Sequence, residues 1–211
     1  MMRIRWFGHA CFVCEGSGVR LLTDPFSKEV GYAPPREKVD LVTVSHDHYD
    51  HNAVEGLPGR PAVIREPGRH RVRGLQVEGF SVFHDEVKGA KRGRNLIFVW
   101  EMDGIRLCHL GDLGHVLEPA TVRELGKIDL LMVPVGGVYT IDAAGARKVV
   151  EQLAPRVVIP MHYRTPALTF ELGPVEDFTR FFDRVRREKE FAGDGGSLPG
   201  EQEVVVLDYI H

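Results

Sequence analysis

Between Ser45 and Asn52 the chain sets three imidazoles and two carboxylates in consecutive positions, His46-Asp47-His48-Tyr49-Asp50-His51, directly behind the apolar run 39–44. In an extended backbone alternate residues share a face, so His46 and His48 point one way. A chain that turns behind them aims Asp50 and His51 at a second, adjacent point. Neutral imidazole together with carboxylate suits zinc, iron or manganese, and carboxylate is the ligand best able to bridge two cations or to accompany a coordinated water. The stretch therefore reads as a centre for two neighbouring divalent cations.

Such a centre needs a rigid frame, and the flanking sequence supplies strands. Residues 3–14 and 19–23 are β-rich and are joined by Glu15-Gly16-Ser17-Gly18, a hairpin turn by composition. Asp24-Pro25 ends the second run, and the segment to Lys38 reads as a loop over the site. The largely apolar run 39–44, broken only by Asp40 and Thr43, predicts a strand buried on both faces. A short helix is expected over 52–57, a strand over 62–65, and a basic loop over 69–73. The run 75–83 is a strand that delivers His84, and 96–102 with 105–110 form a hairpin about Asp103-Gly104 that leads into Gly111-Asp112. Helices are expected over 118–125 and over Ala143 to Leu153, the latter capped by Asp142, with strands over 129–133 and 157–160. Val175, Phe178, Phe181, Phe182 and Val185 share a helical face, and a last strand covers 204–209. Every candidate ligand thus follows a strand. Strands and helices intersperse without internal repeat, which favours a layered α/β sandwich.

Composition narrows the classes of function. A chain of 211 residues, 43% hydrophobic and 27% charged, suits one domain with one sizeable core. Its formal net charge of −3 disfavours nucleic acid as the main partner. No run is long and apolar enough for a membrane helix and no signal-peptide core opens the sequence, so a cytoplasmic protein is expected. Cys11, Cys14 and Cys108 form no disulfide framework and read as small core hydrophobes.

The run His46-x-His48-x-Asp50-His51 at the end of a buried strand resembles the signature of the metallo-β-lactamase superfamily. The wider order of motifs, Trp6-Phe7-Gly8-His9-Ala10, Thr23-Asp24-Pro25, His84, Gly111-Asp112 and Pro160-Met161-His162-Tyr163, resembles its short bacterial hydrolases, among them ascorbate-phosphate lactonases. The resemblance implies a four-layer αββα sandwich, here a single hydrolase domain over 1–211. It also implies that His46, His48 and His84 hold one metal ion, that Asp50, His51 and His162 hold a second, and that Asp112 bridges them. The expected cofactor is a pair of divalent ions, zinc foremost, with manganese or iron as alternatives. Asp50 would orient a metal-bridging hydroxide and take up a proton.

For the remaining positions the residues themselves are the guide. His84 is preferred to His70, His109 and His115 as a ligand because it ends a strand, whereas His70 lies in a basic stretch and His109 differs in strand parity from Asp112. Asp24 is the first candidate to orient an imidazole from behind, its alternative being a plain Asp-Pro turn, and His9 is a weaker candidate for the same shell. His115 and Tyr139 are candidate substrate contacts. Residues 85–95, with Lys88, Lys91, Arg92 and Arg94 between Gly89 and Gly93, read as a mobile flap whose Lys91, Arg92 and Arg94 recruit a carboxylate or phosphate. A solvated hairpin loop or a subunit contact is the alternative.

The expected function is hydrolysis of a small, possibly anionic ester, lactone or phosphoester by a binuclear centre. A phosphodiesterase or nuclease, iron-based redox chemistry, and a metal-stabilised binding module without turnover are the competing readings. Fold alone does not decide among them.

Overall fold

A computed structural model describes residues 1–210. Strands β1 (Met2–Gly8), β2 (Cys11–Gly16), β3 (Val19–Thr23), β4 (Leu41–Thr43) and β5 (Ala62–Ile64) come first. They are followed by β6 (Gly68–Val72), β7 (Leu75–Phe83), β8 (Arg94–Met102) and β9 (Ile105–His109). Helix α1 (Pro119–Leu125), β10 (Leu130–Pro134), helix α2 (Ala143–Leu153), β11 (Val157–Met161) and the one-turn helix α3 (Glu176–Thr179) lead to β12 (Val185–Glu188), β13 (Phe191–Gly193) and β14 (Glu203–Leu207). The strands form a six-stranded sheet in the order β13-β1-β2-β3-β4-β5 and an eight-stranded sheet in the order β12-β14-β11-β10-β9-β8-β7-β6. The result is the α/β two-sheet sandwich that the sequence predicts, built with few helices.

Period-two alternation decides which side of the first sheet faces which core. Met2, Ile4, Trp6, Phe12, Cys14 and Leu21 join the large cluster that also takes in the second sheet and the apolar face of α2, with Ala146, Val149 and Val150. Their neighbours Phe7, Cys11, Val13, Leu22 and Val42 point the other way, into a smaller cluster closed by Phe26, Val30, Tyr32 and Leu57. That outer face is covered by a 3₁₀ turn over Lys28–Val30 and by loop residues. Asp142 caps α2 as expected, its side chain accepting from Gly145 N at 2.8 Å.

Three local expectations fail, each because tertiary pairing overrides local pattern. Residues 52–57 make turns in place of a helix, because Ala53 N donates to Pro25 O and leaves Val54 and Leu57 to plug the smaller core. The helical face predicted over 175–185 stops at Thr179: Phe178 and Phe182 already pack at 4.8 Å, and Val185 instead pairs with Val204 in β12. Residues 69–73 are not a loop. Most of them form edge strand β6, where charged side chains such as Arg69 face water and discourage edge-to-edge association.

All three cysteines are free and buried, and burial pushes each thiol well above its ordinary pKa. Native protein is therefore expected to leave Cys11, Cys14 and Cys108 unmodified by a thiol reagent over hours, and all three are expected to react at once in denaturant. Rapid labelling without denaturant would contradict this packing. No helix among the described residues is long and apolar enough to cross a membrane.

Strand direction sets up the site. β1 and β3 are both antiparallel to β2 and so run the same way, and β4 is parallel to β3. In the second sheet β7 and β9 are both antiparallel to β8, while β10 and β11 run parallel to β9. His9, Asp24 and the 46–51 run leave the carboxyl ends of β1, β3 and β4, and His84, Asp112 and His162 lie just past those of β7, β9 and β11. Backbone bonds tie the two rims together, His162 N to His9 O at 3.1 Å and Leu96 N to Ser45 O at 2.9 Å.

Candidate metal centre

The rim is where the backbone departs from its preferred conformations. His9 (φ 53°), Asp24 (φ 37°) and His162 (φ 53°) all take left-handed conformations, each costing about 1–3 kcal/mol for a residue with a Cβ. Surrounding bonds hold them there. His9 O accepts both Trp6 Nε1–H at 3.0 Å and the His162 amide, and the Asp24 side chain takes the Ser45 amide at 2.7 Å. Gly111, at φ 54°, permits a close approach, since a Cβ there would collide with Asn95 and Ser45.

Asp112 is the hub, almost wholly buried at 2% exposure. Its Oδ2 lies 3.2 Å from His162 Nε2, 3.4 Å from His84 Nε2 and 4.0 Å from His46 Nε2, and its Oδ1 lies 3.3 Å from His51 Nε2. Asn95, a residue without any signal in the sequence, fixes this segment by accepting from Asp112 N at 2.9 Å and donating to Leu110 O at 2.8 Å. Potential ligand atoms gather into a trio from His46, His48 and His84, a group from His9, Asp50, His51 and His162, and a third from His46, His51 and Asp112 that links the two. The first trio has the same members as one of the expected ligand sets, and the second group contains the other set with His9 added.

The imidazoles are oriented from behind. His51 Nδ1–H donates to Asp24 Oδ2 at 2.9 Å, and His46 Nδ1–H donates at 3.0 Å to Ser45 Oγ, which donates on to Asp24 Oδ2 at 2.6 Å. One carboxylate at 0% exposure therefore anchors the Nδ1 side of two rings and turns Nε2 of each towards the cluster. His9 Nε2–H donates to Asp50 Oδ2 at 3.0 Å, and its ring centroid lies 4.1 Å from that of His162.

Charge follows this layout. Burial, and then the neighbouring rings, lower His9 to about 4 and His46 to about 3, so both are neutral. Burial works against the charge of Asp112, Asp50 and Asp24, but the imidazoles beside them hold all three carboxyls below the usual range. His51 goes the other way: burial would lower it, but Asp112, Asp24 and Asp50 hold its imidazolium form well above the ordinary value.

The fit of this cluster to metal rests on its unsatisfied atoms. Among the described residues, buried side-chain nitrogens and oxygens lacking a hydrogen-bond partner concentrate here: Nε2 of His46 and His51, both ring nitrogens of His162, Nδ1 of His9 and His84, and Oδ1 of Asp112. Leaving so many polar atoms unpaired inside a protein is costly, and divalent cations are the partners that imidazole nitrogen and carboxylate oxygen share.

A cavity of about 360 Å³ opens over the cluster, floored by His48, Asp50, His84 and Asp112. Tyr49, Tyr139, Phe170 and Arg92 form its walls. Of the substrate contacts expected from sequence, Arg92 and Tyr139 are in place and three are not. Arg94 donates to Ser81 Oγ at 3.0 Å on the β7–β8 pair, away from the cavity. Lys91 lies 3.7 Å from Glu86 and lines only a small neighbouring hollow. Both nitrogens of His115 are engaged by backbone, with Phe83 N and Val116 O. The competing ligand candidates are also accounted for, His109 Nε2–H donating to Ala10 O at 2.9 Å and His70 bonding Glu66 O. Phe170 and Ser45 were not anticipated; only the place of Ser45 beside the histidine run hinted at a role.

Comparison with known proteins agrees with this geometry. The β-lactamase superfamily domain matches residues 3–162. A UPF0173 metal-dependent hydrolase of Archaeoglobus fulgidus is 34% identical over 211 residues, covering 85% of this chain and 90% of that protein. One of Thermococcus onnurineus is 32% identical and covers 78% and 86%. The crystal structure of a Thermotoga maritima protein of the metallo-β-lactamase superfamily superposes with a TM-score of 0.84 at 44% identity over 98% of both chains. The rim of parallel strand ends, the histidine run and these relatives agree, and the chain belongs to the metallo-β-lactamase superfamily as a metal-dependent hydrolase of the UPF0173 group.

Proposed function

We propose that this hydrolase is binuclear and cleaves a small ester, lactone or phosphoester in the cavity above Asp112, with the 1–211 chain acting as one domain. The supporting observation is the set of imidazole Nε2 atoms, from His51, His84 and His162, converging from two sides on one buried carboxylate. His46, His48 and His84 would hold one ion, Asp50, His51 and His162 the other, and Asp112 would lie between them. When bound, a pair of divalent ions, zinc foremost and manganese or iron as alternatives, supplies a hydroxide nucleophile at neutral pH and Lewis acidity towards the developing oxyanion.

The chain's own carboxylates divide the labour by exposure. The Asp112 side chain, at 2%, is almost closed off at the cavity floor and serves structure and charge, whereas that of Asp50, at 15%, is more open to the cavity and can orient the attacking group by accepting a hydrogen bond from it. His9 holds Asp50 Oδ2 in place for that task and stays neutral itself. A small molecule fits the cavity volume. The resemblance to ascorbate-phosphate lactonases keeps lactones among the substrates, and the net charge of −3 favours a small molecule over nucleic acid. Three free thiols suit the reducing cytoplasm, where we place the protein.

Two metal ions per chain are the expected stoichiometry after zinc supplementation and desalting, read by elemental analysis. The same preparation should hydrolyse at least one member of a panel of esters, lactones and phosphodiesters and lose that activity to a chelator. A constant ratio of one ion per chain would overturn the binuclear reading. Full activity after complete metal removal would overturn the mechanism.

A further inference from the structure

The basic loop 85–93 is the segment furthest from its expected behaviour. It is not a loose flap. The Asp85 carboxylate, 3% exposed, accepts four backbone amides: Val87 at 2.9 Å and Gly89 at 2.8 Å on Oδ1, Lys91 at 2.9 Å and Arg92 at 2.8 Å on Oδ2. The amide of Arg92 is thereby fixed beside His84, and its side chain leaves from a pinned base.

That side chain goes to the cavity. The Arg92 guanidinium donates to Val138 O at 3.2 Å and sits 5.5 Å from the centre of the Tyr139 ring, which meets Phe170 edge-on at 6.0 Å. Among the described residues no carboxylate comes within ion-pairing distance of it, whereas Lys91 approaches Glu86 and Arg187 pairs with Glu176. Val138 adds an independent sign. It is β-branched yet holds φ 62°, and it is 62% exposed, as is 40% of Tyr139. A β-branched residue in that region is a genuine outlier, and such strain persists where the surroundings impose it, often at ligand-binding positions. Here it turns the Val138 carbonyl to Arg92 and presents Tyr139 to the cavity.

We propose that Arg92, Tyr139 and Phe170 determine specificity for substrates that carry an oxyanion, carboxylate or phosphate, on a flat unsaturated body. The guanidinium fork matches the two oxygens of either anion, and the aromatic wall favours a planar partner over an aliphatic chain. The anion then sits at the wall formed by Arg92, and the scissile bond lies over the floor of His48, Asp50, His84 and Asp112. This deepens the hydrolase reading and rests on it for the reaction, though not for binding.

The test is binding of benzoate, acetate and benzamide to metal-free and zinc-loaded protein by NMR titration, with zinc content measured on the same samples. Benzoate should bind at least about tenfold more tightly than either acetate, which lacks the body, or benzamide, which lacks the charge. Arg92→Gln should reduce benzoate to the level of benzamide, and Tyr139→Ala should reduce it to that of acetate, each with an unchanged melting temperature. Phenylphosphonate in place of benzoate separates phosphate-like from carboxylate selectivity. Benzoate affinity indifferent to Arg92→Gln in both metal states, or benzamide binding as tightly as benzoate, would overturn the proposal and leave the metal centre untouched. Loss of zinc binding with the Arg92 effect intact would instead sink the hydrolase reading and spare the clamp.

Discussion

Asp112→Ala is expected to abolish turnover, by about 10³-fold or more in kcat/KM, a barrier of about 4 kcal/mol at 1.36 kcal/mol per decade. Among the described residues its carboxylate alone comes within 4.0 Å of Nε2 of all four of His46, His51, His84 and His162, whereas Asp50 approaches only His51 of these, at 3.5 Å, and cannot take over the shared position. On the binuclear reading, metal content should fall from two ions to at most one, because the Asp112 carboxylate lies between both candidate ligand groups. Asp112→Asn keeps the shape and loses the charge, and should retain a measurable remnant of binding. His115→Ala is the matched control: it lies three residues on but bonds only backbone, and should leave kcat/KM within about twofold. Full metal content and turnover in Asp112→Ala would show that the hub has been misidentified.

Asp24→Ala should produce the second largest effect, and at a distance, since Asp24 does not line the cavity. It removes the acceptor that fixes His51 directly and His46 through Ser45, leaving two donors of Ser45 and one of His51 unpaired in a dry interior. Breaking such a buried charged pair costs about 3–5 kcal/mol, and loss of an orienting partner typically weakens metal binding about 10–100-fold. The sign with pH follows from the shift. The Asp24 carboxyl is held below its ordinary value, so its contribution to stability is present above about pH 4 and is lost as pH falls through the depressed value. Wild type should lose its stability advantage over Asp24→Asn in acid, which urea midpoints at several pH values would measure.

His51 carries the opposite shift and a separate expectation. Its imidazolium form is favoured in the metal-free protein, so coordination must expel that proton, and affinity at its site should rise with pH. A zinc affinity that is flat between pH 6 and 8, at roughly the range where imidazole normally titrates, would contradict this.

Much of this centre could be read from the chain because it depends on local signals. A candidate ligand at the end of an apolar run is visible one strand at a time, and His46, His48, Asp50, His51, His84, Asp112 and His162 all follow such runs. Asp24 was legible as a polar residue ending a strand, although nothing local revealed that it governs two rings. What stayed hidden depends on pairing across the fold. Asn95 looks like any polar residue opening a strand until Asp112 and Leu110 are placed beside it. The cations of 85–95 look equivalent in sequence, yet Asp85 winds the loop so that Arg92 meets the cavity and Arg94 points along the sheet. Glycines there suggested mobility, whereas Asp85 supplies the order. The lost helix over 175–185 has the same origin, because its apolar spacing also satisfies a short turn followed by an edge strand.

The order of the first sheet has a consequence for how the protein is made. β1 lies inside that sheet, with β2 on one side and β13 on the other, so Met2, Arg3 and Ile4 pair with residues 191–193. During synthesis the first strand can form its hairpin early, but its outer edge stays unpaired until residues 191–193 have left the ribosome. His9 leaves the end of that same strand, and its carbonyl meets the His162 amide only once β11 exists. Nascent chains halted before residue 191 should thus expose a β edge that invites association, and truncated or slowly translated protein is expected to aggregate through β1.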